Sequence, residues 1–304
     1  MNKYYDISLV RENITGPVPS LNPQFNKDGS IDWKSTANIV DFLVQSGAKT
    51  ILLTYGDSLL SILTDKEVLE LNKLLVDTVN KRAMVIGCGR IWNFEQNSEF
   101  SKYCRDIGCD IAIPVFPDWS QSADMSLLAD CFLELGKIMP LMILTNMLNG
   151  RGMPVGVYDK LSADCGVVAV KDDTAMPYGR EMGVHIRDKF AYLSGGTKNL
   201  FLSHVPYGAD GYLSVFARVF PEVSNAFWQS YSEGKYKEAM DVIEKYEFPL
   251  LKFWQADGKQ FDATIHGMYE IAGLGQRYRR APYSSLNDCQ MEQVREFLQK
   301  LNLI

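Results

Sequence analysis

The sequence predicts an α/β fold, a (β/α)₈ barrel with a C-terminal helical appendage, and three observations carry that reading. Eight short, unbroken apolar runs recur along residues 1–232, and longer amphipathic stretches separate them. The runs lack the polar–apolar alternation of a half-exposed strand, so both faces need cover, as in a parallel sheet sheathed by helices. From residue 233 to 304 the pattern is helical only. An open, doubly wound sheet has the same periodicity. However, no Gly-x-Gly-x-x-Gly opens a helix after the first run, which weighs against the dinucleotide-binding form of that fold.

The elements follow in order. Strand one falls near 18–21. A helix over 33–45 stops at Ser46-Gly47, and strand two follows at 51–53. Thr64-Asp65-Lys66-Glu67 has the capping pattern in which Thr and Glu satisfy amides left free at a helix start; it predicts a helix over 65–79 before strand three at 84–87. Helices ending at Ile107-Gly108 and running through 127–135 lead to strands four (111–113) and five (141–144). Strands six, seven and eight are placed at 167–170, 190–193 and 211–215, and the appendage at 235–255, 259–273 and 289–301. No low-complexity linker separates the appendage from the barrel, so residues 233–304 are expected to pack on it.

Composition narrows the function. With 304 residues, 46% of them hydrophobic, the chain can bury a large core without disulfide or metal staples. Thirty-seven acidic against 31 basic residues give a net charge of −6, which argues against a protein built to neutralise nucleic-acid phosphates. Cys88, Cys104, Cys109, Cys131, Cys165 and Cys289 form no C-x-x-C, and His185, His204 and His266 do not pair with them at zinc spacing. Reduced thiols, no metal and a cytoplasmic location are expected. The start, Met1-Asn2-Lys3-Tyr4-Tyr5-Asp6, has no apolar signal core, and the greasy stretch 138–144 falls far short of the roughly 20 residues of a membrane span.

In a barrel, chemistry sits at the C-terminal strand ends. Strand six ends in Val168-Ala169-Val170-Lys171-Asp172-Asp173. A lysine projecting there over an apolar interior is desolvated, which favours the neutral amine and makes it a nucleophile toward carbonyl carbon. The competing reading is a solvated lysine paired with Asp172 or Asp173.

Several segments together resemble the dihydrodipicolinate synthase and N-acetylneuraminate lyase family of class I, Schiff-base aldolases. They are Pro23-Gln24-Phe25-Asn26-Lys27-Asp28-Gly29-Ser30-Ile31-Asp32, Val85-Ile86-Gly87-Cys88-Gly89, Ala169-Val170-Lys171-Asp172, Leu193-Ser194-Gly195-Gly196 and Gly208-Ala209-Asp210-Gly211-Tyr212-Leu213-Ser214-Val215. The set lies in the family's order over residues 14–255. The resemblance implies a (β/α)₈ barrel, usually a tetramer, in which Lys171 condenses with a 2-oxo acid such as pyruvate, with no cofactor beyond the lysine. It also implies that Gly195 and Leu213 shape the pocket.

The departures from the family's pattern are specific. Thr145 stands where the family has its proton-relaying tyrosine after strand five. After strand four, Pro117 aligns, but Asp118 and Trp119 replace two tyrosines. Asp118 is therefore an acid–base candidate, or else a cap for the following helix, and Trp119 a subunit contact. In the strand-two loop, which binds the substrate carboxylate in the family, the chain reads Thr54-Tyr55-Gly56-Asp57-Ser58. Two registers are open, and in both the amides of Gly56 to Ser58 are a candidate anion nest. Arg151, in Asn149-Gly150-Arg151-Gly152, is a candidate carboxylate clamp. The three histidines are expected to be structural or exposed, and Arg277, Arg279 and Arg280 a solvated face or subunit contact.

The expected function is therefore a Schiff-base lyase, aldolase or dehydratase, acting on pyruvate or a 2-oxo sugar acid, with Lys171 as nucleophile, Thr145 placing a hydroxyl or water, and Asp118 or Asp173 as acid–base groups. Dihydrodipicolinate synthase activity itself is not expected without the tyrosine relay. The alternative is an inactive member that binds an oxo acid as a sensor or partner subunit. The implied partners are the small-molecule substrate and further copies of the chain, a dimer or tetramer, with neither nucleic acid nor membrane.

Overall fold

The computed structural model describes residues 2–145, 152–174, 176–255 and 261–304. Eight strands form one parallel sheet: β1 Gly16–Val18, β2 Thr50–Leu52, β3 Met84–Ile91, β4 Ile111–Val115, β5 Leu141–Leu144, β6 Val167–Asp172, β7 Ala191–Ser194 and β8 Gly211–Leu213. Their order runs β1-β8-β7-β6-β5-β4-β3-β2. The ring closes just past β1, where Ser20 bridges Leu52 and the Leu21 amide donates to Leu52 O at 2.9 Å. The open-sheet alternative is thereby excluded, and the strands are buried as their apolar runs require.

Helices alternate with the strands. They are α1 Ile7–Ile14, α2 Trp33–Gln45, α3 Asp65–Val79, α4 Phe94–Ile107, α5 Met125–Gly136, α6 Met176–Ile186, α7 Lys198–His204 and the short α8 Phe216–Val219, then α9 Pro221–Ser232, α10 Tyr236–Val242, α11 Phe248–Gln255, α12 Phe261–Ile271 and α13 Asp288–Lys300. Thr64 and Glu67 form the expected capping box of α3. Before β1, α1 packs against β6 and β7, and the Thr50 hydroxyl donates to Asn13 O.

Three elements differ from the sequence reading, each for a physical reason. The first strand lies two residues earlier, because past Val18 the chain keeps only the closing bridge at Ser20. β3 runs on to Ile91 through a register shift between Cys88 and Ile91. The helix expected over 235–255 is interrupted by a π turn, Ile243–Glu247, next to Pro249, which has no amide to give the preceding turn.

The C-terminal helices share the barrel's core: Leu250, Ala263, Ile265, Met268, Val294 and Leu298 join the same apolar cluster as the strands. Arg280 fixes this region to the loop after β1 and the start of α3, donating to Gly29 O and to both oxygens of Glu67. The arginines expected on a solvated face or subunit contact are thus internal staples. Arg279 binds Asp262 and Arg277 binds Glu270, and Arg279 is buried.

Candidate active site

The site starts from strand alternation. β6 is buried throughout, and Lys171 lies level with Leu144 of β5 and Leu193 of β7. Its side chain is 3% exposed, and its Nζ meets the Asp173 carboxylate. The tip also lies within electrostatic reach of the Cys88 thiol on β3, which accepts from the Tyr55 amide. Burial pushes that thiol's pKa far up, so Cys88 faces the lysine as a neutral group.

Of the two aspartates that follow Lys171, the structure pairs the lysine with Asp173. Asp172 points the other way and is fully buried. Its Oδ1 accepts from Thr145 Oγ1 at 2.8 Å, the Thr174 amide at 3.0 Å and Thr174 Oγ1 at 2.6 Å; its Oδ2 takes the Tyr192 hydroxyl at 3.3 Å. Thr145 accepts in turn from the Asp173 amide at 3.1 Å. Its hydroxyl proton is thus given to Asp172 rather than held beside the amine, contrary to the role expected of it. Thr145 braces the strand end that carries Lys171 and Asp173.

Gly195 packs against the two aspartates that follow Lys171. Its amide donates to Asp172 O at 2.7 Å, and a Cβ there would sit 1.9 Å from Asp173 Oδ1 and 2.6 Å from Asp172 O. Only glycine admits the Asp173 carboxylate over this turn. Leu213 is buried at the end of β8 and lines a small cavity with Gly196, Lys198, Ser214 and Trp254.

The strand-two loop turns its donors inward. The Asp57 amide donates to Thr54 Oγ1 at 3.2 Å and the Ser58 amide to Thr54 O at 3.1 Å, while Ser58 Oγ donates to Leu21 O at 2.6 Å. The anion nest expected at Gly56 to Ser58 is not formed by these two amides, because the loop's own acceptors consume them. Asp57 is paired instead. Its Oδ2 accepts from Arg218 Nη2 at 2.6 Å and from Ser20 Oγ at 3.1 Å. Sequence reasoning missed Arg218, which lies 161 positions from Asp57. A cation two residues into the short helix after β8 was the available signal.

Asp118 is buried, and its Oδ1 accepts from the Ala123 amide at 3.0 Å; the cap of α5 is Asp124. Trp119 is 87% exposed. Arg151 lies outside the described residues. His204 is buried, its Nδ1 3.1 Å from Ser194 Oγ, with its pKa lowered by burial. His266 is buried against Phe25, and His185 lies beside Asp159 at the surface. Among the described residues, no group of three or more His, Cys, Asp or Glu side chains is placed to hold a metal ion, and no helix is long and apolar enough to cross a membrane.

Comparison with known proteins agrees with this architecture. The model of the dihydrodipicolinate synthetase family matches residues 13–301. A 4-hydroxy-tetrahydrodipicolinate synthase of Methanosarcina acetivorans is 26% identical over 297 residues, covering 95% of this chain and 99% of that protein. One from Clostridium perfringens is 25% identical, covering 76% and 80%. Among solved structures, dihydrodipicolinate synthase from Oceanobacillus iheyensis superimposes with a TM-score of 0.85 at 20% identity, covering 98% of this chain and 100% of that one. A prophage protein of the dihydrodipicolinic acid synthase family from E. coli K12, in complex with pyruvate, gives 0.83 at 22% identity, covering 95% and 99%.

Proposed function

This chain belongs to the dihydrodipicolinate synthetase family, and from that premise we propose that it is a lyase of the class I aldolase type in which Lys171 forms an imine with a 2-oxo acid. One observation carries the reading: a buried lysine at the C-terminal end of a barrel strand has its Nζ on the carboxylate of Asp173. The carboxylate takes a proton from the ammonium, and the freed amine adds to the carbonyl carbon. The nitrogen passes a second proton to the resulting alkoxide, and protonated Asp173 returns the first to that hydroxyl, which leaves as water. The protonated imine is an electron sink that stabilises the enamine formed when a neighbouring C–C or C–H bond breaks. Asp173 therefore takes the proton-moving role that Thr145, spent on Asp172, does not fill. Asp118, bonded to the Ala123 amide, is the second acid–base candidate on the loop after β4.

The substrate class follows from the family: pyruvate in the E. coli K12 complex, and 4-hydroxy-tetrahydrodipicolinate synthase as the name of the curated relatives. The altered loops favour a 2-oxo sugar acid over the reaction that names those relatives. Exposed Trp119, in the position of the family's interfacial tyrosine, supports assembly of several copies.

The test is borohydride reduction in the presence of pyruvate and a panel of 2-oxo acids, read as intact mass and mapped by peptide. A reduced adduct on Lys171 is expected. If no acid labels the folded protein, the imine reading fails. The second reading, binding without turnover, rests on the unusual relay positions; ligand binding that persists unaltered in Lys171→Ala, with no turnover by the wild type, would favour it.

A further inference from the structure

The strand-two loop carries a buried ion pair, Asp57 with Arg218. Asp57, Ser20 and Asn22 come from the loops after β2 and β1 and Arg218 from α8 after β8, and these strands are neighbours in the ring. All lie on the face that carries Lys171. The Cys88 thiol, which accepts from the Tyr55 amide two residues before Asp57, lies within electrostatic reach of Lys171.

Arg218 is 1% exposed. Among the described residues its Nε has no hydrogen-bond partner, and its Nη1 makes only a 3.5 Å contact to Asn22 Oδ1. The 2.6 Å contact to Asp57 is therefore what balances the buried charge. A substrate carboxylate cannot displace Asp57 without moving one anion off a buried cation to admit another. Asn22 Nδ2, at 2.6 Å from Asp57 O, holds the backbone from the other side.

Only one oxygen of Asp57 is used this way. Oδ1 has no hydrogen bond among the described residues, the side chain is 18% exposed, and the neighbouring Gly56 borders open space. The mouth thus offers at this point a fixed acceptor whose charge is already compensated. The complement of such a group is a hydroxyl. A second carboxylate would meet an acceptor with no proton to give.

Building on the imine at Lys171, we propose that Asp57, held by Arg218, is a specificity residue that accepts a hydrogen bond from a substrate hydroxyl, so that the site takes hydroxylated 2-oxo acids and rejects 2-oxo dicarboxylates. The test uses three six-carbon acids that differ only in the distal groups: 2-oxo-3-deoxygluconate, 2-oxohexanoate and 2-oxoadipate. Each is reduced onto the protein with borohydride, and the concentration giving half-maximal labelling is read by intact mass. The hydroxylated acid is expected to label at about tenfold lower concentration than 2-oxohexanoate, with 2-oxoadipate the weakest. In the double variant Asp57→Asn/Arg218→Gln, which removes both charges so that neither is stranded, the preference for the hydroxylated acid over 2-oxoadipate is expected to shrink at least tenfold.

Equal labelling of the wild type by all three acids overturns the assignment and leaves the imine standing. So does a preference that survives intact in the double variant. Labelling by none of them overturns the imine reading, and this assignment with it. The wild-type panel decides the question even if the double variant does not fold.

Discussion

Two lysines are equally buried at the C-terminal end of this barrel, and they are built for different ends. Lys171 closes a strand, meets Asp173 two residues on, and faces a neutral thiol across the ring. Lys198 opens α7 and lies 3.6 Å from Glu247, whose oxygens are already engaged by the Lys198 and Asn199 amides at 2.8 and 2.9 Å. Its Nζ sits over the rings of Phe216 and Tyr212, and burial lowers its pKa. The cavity beside it is small. In the proposed reading burial alone does not make an amine active: position at a strand end, on a carboxylate able to take and return its proton, sets Lys171 apart.

The largest expected effect tests this contrast directly. Lys171→Ala is expected to abolish borohydride-trapped adduct and turnover, while Lys198→Met keeps the adduct at the wild-type site. Peptide mapping decides between them, and an adduct on Lys198 would reverse the assignment. The next effect falls on Asp173, the proposed proton carrier. Asp173→Asn is expected to lower kcat by about 10²–10⁴, with far less change in the concentration of 2-oxo acid needed for half-maximal trapping. A kcat within a few-fold of wild type would move the role to Asp118.

For the other lysine the prediction concerns stability. Glu247→Gln removes the partner of a buried cation, and a loss of about 3–5 kcal/mol in urea unfolding is expected. Trapping at Lys171 should survive below the shifted midpoint. If stability is unchanged, the pair is a bystander and the comparison loses one side.

The smallest effect sharpens the claim that burial alone makes no active group. His266 is buried, with its pKa lowered to about 3 by desolvation and by the nearby Arg279. The folded state keeps the ring neutral while the unfolded chain binds a proton below the ordinary value of 6.5. Stability should therefore fall as pH drops from 6.5 toward 3, by about 1.4 kcal/mol per pH unit from this one group. His266→Phe is expected to flatten that part of the acid-unfolding curve and leave trapping intact. An unchanged curve would show that the ring is not held neutral.

Much of this molecule is legible in its sequence because the informative signals are local. Unbroken apolar runs place seven strands closely, a capping box starts α3 where expected, and Lys171 stands directly after four apolar residues. What sequence does not show is direction across the strand. Thr145 shares a strand end with the lysine's neighbour, yet its hydroxyl faces Asp172 on the opposite side from the amine. Nor does sequence show partnership at a distance: Asp57 and Arg218, 161 positions apart, meet only in the fold. The π turn at Ile243–Glu247 escaped for the opposite reason. Amphipathic spacing ran through it, and only Pro249 marked the break.

That π turn bears on the order in which the chain is made. It carries Glu247 to the Lys198 and Asn199 amides at the start of α7, which Thr197 caps only at the Leu200 amide, so the seventh βα unit completes its helix start with a segment synthesised after all eight strands. A nascent chain emerging from the ribosome will hold a ring of strands with two helix amides still unsatisfied and one buried ammonium still unopposed. Its last step toward the native state is then the arrival of the C-terminal helices, and a chain stalled before residue 247 is the form a cellular protease should find first.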